Sequence, residues 1–256
     1  SAMAHEYPIL EYDSNPNAMI EPHRLLRPLD RMPEHCVLCF FQEVINAACA
    51  EAEQVIILRS EIGQNPIYVI EQNGQRVAVL HPGVGAPLAA GYLEEAIALG
   101  AKKFIACGGA GVLNKDLAVG HVVVPVLAIR DEGLSYHYLP PSRDVAASPE
   151  AIEALQQTLE AHHVPYVIGK TWTTDALYRE TPGKVAHRRD EGCLTVEMEA
   201  AAFFAVAKFR AVTFGQILYS GDDLSGDEWD HRNWISGRPD TRQKLFALAV
   251  EACLKL

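Results

Sequence analysis

The sequence predicts an α/β layered protein with a largely parallel sheet and at least one antiparallel ribbon. Short strand-type apolar runs alternate with helix-type stretches from Cys36 to the C-terminus. Two glycine clusters, Gly83-Val-Gly85 and Gly108-Gly-Ala-Gly111, follow such runs at the carboxyl ends of neighbouring strands, where α/β sheets open a ligand crevice. No Gly/Ser or Pro-rich linker interrupts the alternation and no internal repeat is visible, so one domain is expected over residues 35–256.

The elements follow in order. Residues 1–34 are broken by prolines and show no period, yet are too apolar for disorder. They read as an extended N-terminal arm lying along the domain or a neighbouring subunit. Ser1-Ala2 ahead of Met3 looks like a remnant of tag cleavage, which makes Met3 the natural start. Strands are expected at 37–41, 55–58, 67–71 and 77–80, with Asn73-Gly74 as a hairpin turn between the last two. A helix at 44–53 separates the first pair. A second helix, 87–99, opens with Pro87, which suits a first helical turn. Strands follow at 104–107, 122–128, 166–170 and 213–219, and helices at 149–161, 181–191, 199–208 and 241–254.

The chain has 256 residues, 49% of them apolar, enough for a substantial core. Its formal charge of −11, with Lys and Arg scattered, argues against nucleic acid or an anionic membrane as partner. No apolar run approaches the ~18 residues of a membrane span. The six cysteines sit mostly in apolar segments, and Cys36 and Cys39 on one strand would point to opposite faces. They read as buried core thiols of a reducing cytoplasm, with no metal site and no cofactor.

Val196-Glu197-Met198-Glu199-Ala200 is the most informative segment. It places two carboxylates one residue apart at the head of an alanine-rich, apolar helix. Burying an unpaired carboxylate costs several kcal/mol, so a strong ligand contact must compensate. The vicinal hydroxyls of a ribose can both donate to one carboxylate. A plain acidic first turn of a helix is the alternative.

Taken in order, Gly83-Val-Gly85, Phe104-Ile-Ala-Cys-Gly-Gly-Ala-Gly111, Gly120-His-Val-Val-Val-Pro125 and Val196-Glu-Met-Glu-Ala200 resemble the purine nucleoside phosphorylase/uridine phosphorylase superfamily, which includes nucleosidases acting on methylthioadenosine and adenosylhomocysteine. The resemblance covers residues 36–225. The stretch from Arg130 to Pro141 is more similar to uridine-phosphorylase-like members. This family implies a three-layer αβα fold with a central mixed, largely parallel sheet, cleavage of a nucleoside N-ribosidic bond, and a homo-oligomer, dimer or hexamer. It implies that Glu199 holds the ribose 2′- and 3′-hydroxyls, with Met198 packing on the sugar and Glu197 nearby. It further implies that Gly83, Gly85, Gly108 and Gly109 approach the substrate. Asp222, with Asp223 one residue out of register, matches the aspartate that protonates a departing purine. Leu177 stands where relatives carry a base-stacking aromatic; either it forms a plain apolar wall or Tyr178 supplies the ring. The glutamine and arginine that read uracil do not align with Glu180-Thr181-Pro182-Gly183, and Arg179 is the nearest substitute. Asp222 therefore favours a purine as the base, with a uridine or purine phosphorylase as the alternative.

Two departures bear on the reaction. The phosphate-holding loop after the first strand is absent: the chain reads Cys39-Phe40-Phe41-Gln42-Glu43-Val44, and the second arginine position is Ala106. A divalent anion needs fixed positive charge, which Glu43 would oppose. Gln42-Glu43-Val44 is instead similar to the arrangement by which nucleosidases activate water. Hydrolysis is thus expected, with phosphorolysis as the alternative if Arg59 of a neighbouring chain supplies charge and inorganic phosphate is a co-substrate. His5 or His23 could reach across in the same way. A non-catalytic nucleoside-binding module is a further alternative.

Overall fold

The computed structural model describes residues 4–117, 121–226 and 239–256. Ser1, Ala2 and Gly120 lie outside them. In chain order the elements are α1 (Pro22–Leu25), β1 (His35–Cys39), α2 (Gln42–Ala48), β2 (Glu53–Ser60), β3 (Gly63–Gln72), β4 (Gln75–Leu80) and α3 (Ala86–Leu99). There follow β5 (Lys103–Val112), β6 (Val122–Asp131), β7 (Asp144–Ala146), α4 (Pro149–Ala161), β8 (Tyr166–Thr174) and α5 (Pro182–Asp190). The chain ends with β9 (Cys193–Glu197), α6 (Ala200–Arg210), β10 (Thr213–Asp223) and α7 (Pro239–Cys253).

The described strands join in one mixed sheet, flanked by helices on both faces as the sequence predicts. Parallel pairs β4–β1, β1–β5 and β5–β10 run through its centre. The antiparallel ribbon β2–β3–β4 forms one margin, turning at Asn73 and Gly74, both with positive φ. At the other side β10, β6, β8 and β9 return to β5, so that part of the sheet closes on itself.

Alternation along the central strands builds the layers. Cys36, Leu38, Ala78, Leu80, Phe104 and Ala106 face α3 and α6, whereas Val37, Cys39, Val77, Val79, Ile105 and Cys107 face α2, α4 and α7. Cys36 and Cys39 therefore enter opposite cores, and all six cysteines are buried free thiols. The first face is anchored by Phe214, stacked on Phe203 at 4.8 Å and on Phe104 at 5.8 Å between centroids.

Three differences from the expected elements matter. First, β9 was not anticipated; it is five residues long and buried on both sides, so it shows no alternation. Second, β5 does not stop at Cys107 but runs through the glycine cluster to Val112, because β9 and β10 pair with it there. Third, α6 begins at Ala200, leaving Glu199 as its N-cap residue. The arm lies along its own domain, where the Leu29 amide donates to the Leu99 carbonyl. Among the described residues no helix is long and apolar enough to cross a membrane.

Truncating the centre of the aromatic stack tests this core. Phe214→Ala should cost about 3–5 kcal/mol in urea unfolding, the usual range for a buried phenylalanine.

Candidate active site

The carboxyl ends of β1, β5, β9 and β10 surround a cleft of about 290 Å³. Its floor is the glycine stretch of β5. A Cβ on Gly108 would stand 2.9 Å from the Phe40 ring, and one on Gly111 would stand 2.7 Å from Leu224 and 2.9 Å from Val196. These glycines let the Phe40, Val196 and Leu224 side chains pack directly on the strand.

One wall is the turn from β9 into α6. Glu197, at the end of β9, receives four hydrogen bonds. Its Oε1 accepts from Thr173 Oγ1 (2.7 Å) and Thr171 Oγ1 (3.3 Å), and its Oε2 from the amides of Glu199 (2.7 Å) and Ala200 (2.6 Å). Glu197 lines the cleft beside Met198, with both carboxylate oxygens engaged by protein donors. Glu199, also buried, keeps more capacity than Glu197: its Oε2 accepts from the Gly85 amide, at 2.7 Å. Burial first, and then the charge of Glu197, push the Glu199 carboxyl up to about 8. Burial also raises Glu197, against the pull of its four donors. Met198 lines the cleft between them.

The structure divides the expected glycines into two pairs. Gly108 and Gly109 line the cleft. Gly83 and Gly85 do not; their positive φ values of 76° and 92° shape the turn before α3, and Gly85 spends its amide on Glu199. Between them Val84 reaches the rim, 64% exposed.

At the far end Asp222 and Glu180 both line the cleft. Burial, and secondarily the charge of Asp222, push Glu180 up to about 7. Leu177 lines the same end, whereas Tyr178 is 93% exposed and does not. That corrects the expectation of a tyrosine ring at the base: a short 3₁₀ turn, Leu177–Arg179, turns Tyr178 outward and leaves Arg179 exposed as well. The stretch from Arg130 to Pro141 also lies off the cleft. The buried Arg130 guanidinium braces it, donating to Ser135, Ser142 and the carbonyls of Leu139 and Pro140.

The remaining corner holds a residue that the sequence did not single out. Arg242, near the start of α7, donates to Glu43 Oε1 at 2.7 Å and to Tyr219 Oη at 3.2 Å, and lies 4.8 Å from the Phe41 ring centroid. Burial raises the Glu43 carboxyl, but the Arg242 hydrogen bond and charge outweigh it and hold the group below its ordinary value. Glu43 is half exposed in the first turn of α2; it does not line the cleft itself and meets it through Arg242. Arg59 is exposed on β2, paired with Gln64, and is not part of this cleft. Glu180 and Arg242 escaped the sequence reading because neither sits in a spaced motif; Arg242 is 199 residues from its partner Glu43.

Residues 34–255 match the family model described as Phosphorylase superfamily. The chain belongs to that superfamily. Among relatives of the phosphorylase superfamily, a guanosine phosphorylase of Halorubrum lacusprofundi is 32% identical over 175 residues, 65% of this chain and 71% of that protein. A DeoD-type purine nucleoside phosphorylase of Exiguobacterium sibiricum is 28% identical over 78% of this chain and 85% of its own. The fold is that of uridine phosphorylase from Vibrio fischeri, with a TM-score of 0.77 at 21% identity over 94% of this chain and 100% of that one. It is also that of AMP nucleosidase from Bacteroides thetaiotaomicron, with a TM-score of 0.72 at 20% identity and 90% coverage of both chains. Family and fold are thus the ones that the segment Val196–Ala200 implies.

The raised Glu199 carboxyl makes stability depend on pH. A carboxyl that binds its proton more tightly folded than unfolded stabilises the fold below its unfolded value, and that stability is lost as pH rises toward about 8. Denaturation midpoints of the unliganded protein should therefore fall between about pH 5 and 8. In Glu199→Gln this component of the slope should vanish; an unchanged slope would assign it to other groups.

Proposed function

We propose that this phosphorylase-superfamily protein cleaves the N-ribosidic bond of a purine nucleoside with water as nucleophile. The observation that carries the choice of water is the state of Arg242. It is the one cation among the described residues lining the cleft, and its guanidinium is already committed to Glu43, Tyr219 and the Phe41 ring. A dianion arriving there would have to break a charge-assisted pair and lie against the Glu43 carboxylate. Ala106, at the position where relatives would place an arginine, adds no charge.

Each residue then has a task. Glu199 accepts the ribose hydroxyls, whose donation favours its ionised form and offsets the burial that raises it. Met198 packs on the sugar. Asp222 delivers a proton to the departing base, and the pair it forms with Glu180 keeps a proton available near neutral pH. Glu43, ionised by Arg242, takes the proton of the attacking water. Leu177 forms an apolar wall for the base. The reaction needs no cofactor, and phosphate would enter only as a co-substrate. We place the enzyme in a reducing cytoplasm on the strength of its six buried free thiols. A homo-oligomer belongs to the same reading, with Arg59 and the arm presented to a neighbouring copy.

Phosphorolysis is the second reading, favoured by the relatives named as phosphorylases and by the presence of Arg242 itself. The two separate cleanly. In phosphate-free buffer the protein should release free ribose and purine base, with Glu43→Ala slowing it ~10²–10⁴-fold. Strict phosphate dependence with ribose 1-phosphate as product would establish the second reading. Glu199→Gln should lower kcat/KM by at least ~30-fold, about 2 kcal/mol of transition-state stabilisation, under either nucleophile.

The base end makes a separate prediction. Activity should decline above about pH 7 as the Glu180–Asp222 pair loses its proton, and Glu180→Gln should remove that limb. A limb that survives in Glu180→Gln would mean that another group limits proton delivery.

A further inference from the structure

The first turn of α6 is not capped by its own N-cap side chain. The strands take its leading amides instead. Those of Glu199 and Ala200 donate to Glu197 Oε2 at 2.7 and 2.6 Å, and that of Ala201 donates to Thr173 Oγ1 at 2.9 Å. Donors that a helix start would otherwise offer to water or a ligand are therefore spent inside the protein. Thr173, near the end of β8, is fully buried and paired in register with Glu197 of β9. Its hydroxyl donates to Glu197 Oε1 at 2.7 Å. One side chain thus ties β8, β9 and α6 together, and a β-branched residue does so with little rotamer freedom.

Thr171, on the same face of β8, is the instructive contrast. It also donates to Glu197 Oε1, but at 3.3 Å, and its oxygen accepts from Thr195 Oγ1 at 2.9 Å rather than from the helix. Both threonines support the Glu197 carboxylate; Thr173 alone of the two reaches α6. Neither lines the cleft, so neither touches substrate.

Glu199 sits between the two tied points. Its own amide is held by Glu197, and the helix that it opens is held at Ala201 by Thr173. From there its carboxyl reaches the Gly85 amide. A carboxylate that must meet two vicinal hydroxyls at once tolerates little displacement, since a shift of about 1 Å can cost on the order of 10²-fold in rate. We infer that Thr173 is a positioning residue for the ribose diol. By accepting from Ala201 and donating to Glu197, it fixes where Glu199 presents its carboxylate, and so favours nucleosides with both the 2′- and the 3′-hydroxyl. The inference rests on the assignment of Glu199 to the ribose and holds for either nucleophile.

The test compares a purine ribonucleoside with its 2′,3′-dideoxy analogue, reading kcat/KM from release of the base. Thr173→Val keeps the shape and removes the hydroxyl. It should lower kcat/KM ~10–10²-fold on the ribonucleoside and less than ~threefold on the analogue, which has no diol to misplace. Thr173→Ser, which keeps the hydroxyl, should stay within ~threefold of wild type on both. Thr171→Val should lose less than Thr173→Val, because the tie to α6 survives. Thr173→Cys puts a weaker donor and acceptor in the same place and should show the valine pattern at smaller amplitude, which keeps the test open if the valine variant does not fold. Equal losses on the two substrates in the valine and cysteine variants would make Thr173 purely structural and overturn the inference. So would a loss in Thr171→Val as large and as diol-dependent as that in Thr173→Val. Glu199→Gln, run alongside, isolates the reading beneath: if it slows both substrates equally, Glu199 does not hold the diol, whatever the Thr173 variants show.

Discussion

The site depends on one buried carboxylate that four protein donors hold in place. Glu197 gathers the hydroxyls of Thr171 and Thr173 from β8 and the amides of Glu199 and Ala200 from the start of α6. Four donors converge on one side chain at the point where strand becomes helix. This fixes the backbone of Met198 and Glu199 and does the capping that the Glu199 side chain leaves undone. Glu199, relieved of capping its own helix, can turn its carboxyl across to Gly85 at the head of α3. Remove the Glu197 carboxylate and the buried donors lose their acceptor, so the wall of the cleft and the orientation of Glu199 would be lost together.

The same arrangement explains why two carboxyls can be buried side by side. The charge of Glu197 is offset by four protein donors, two of them backbone amides, although burial still raises its carboxyl. Glu199 then sits in the field of that charge and in an apolar surround, and retains its proton to about pH 8. The unliganded site therefore holds a group in the less favourable state for its task. A diol that donates twice changes that balance, which turns part of the burial cost into selectivity for ribose over ligands lacking the pair of hydroxyls.

Legibility followed locality. Val196-Glu-Met-Glu-Ala200 could be read because strand end, carboxylates and helix start are contiguous, and the central strands because their apolar runs alternate with helices. β9 hid because a strand buried on both sides has no period. The reach of β5 through Gly108–Gly111 hid because glycine normally weakens a strand, and here tertiary pairing with β9 and β10 overrides that preference. Glu180 and Arg242 could not be found by spacing, since each acquires meaning only from partners brought by the fold. Tyr178 misled for the complementary reason: an aromatic beside the expected position is a good candidate until the backbone turn points it outward.

The cleft also has a direction that follows from its layers. The stacked rings of Phe203, Phe214 and Phe104 lie on the α3/α6 face of the sheet, with Phe40 leading from them to the floor, while Arg242, Phe41 and Tyr219 lie on the α7 face. One face is apolar and presents Glu199; the other presents an ion pair at the rim. On the proposed reading, charge developing on a sugar between them is attracted to the buried carboxylate side, which water does not screen, more than to the solvated rim. An oxocarbenium-like sugar is positive, so a cleft whose buried groups are carboxyls favours it, whereas a second anion would partly cancel that field. A neutral nucleophile leaves the field intact, which is the electrostatic argument behind the proposal of water.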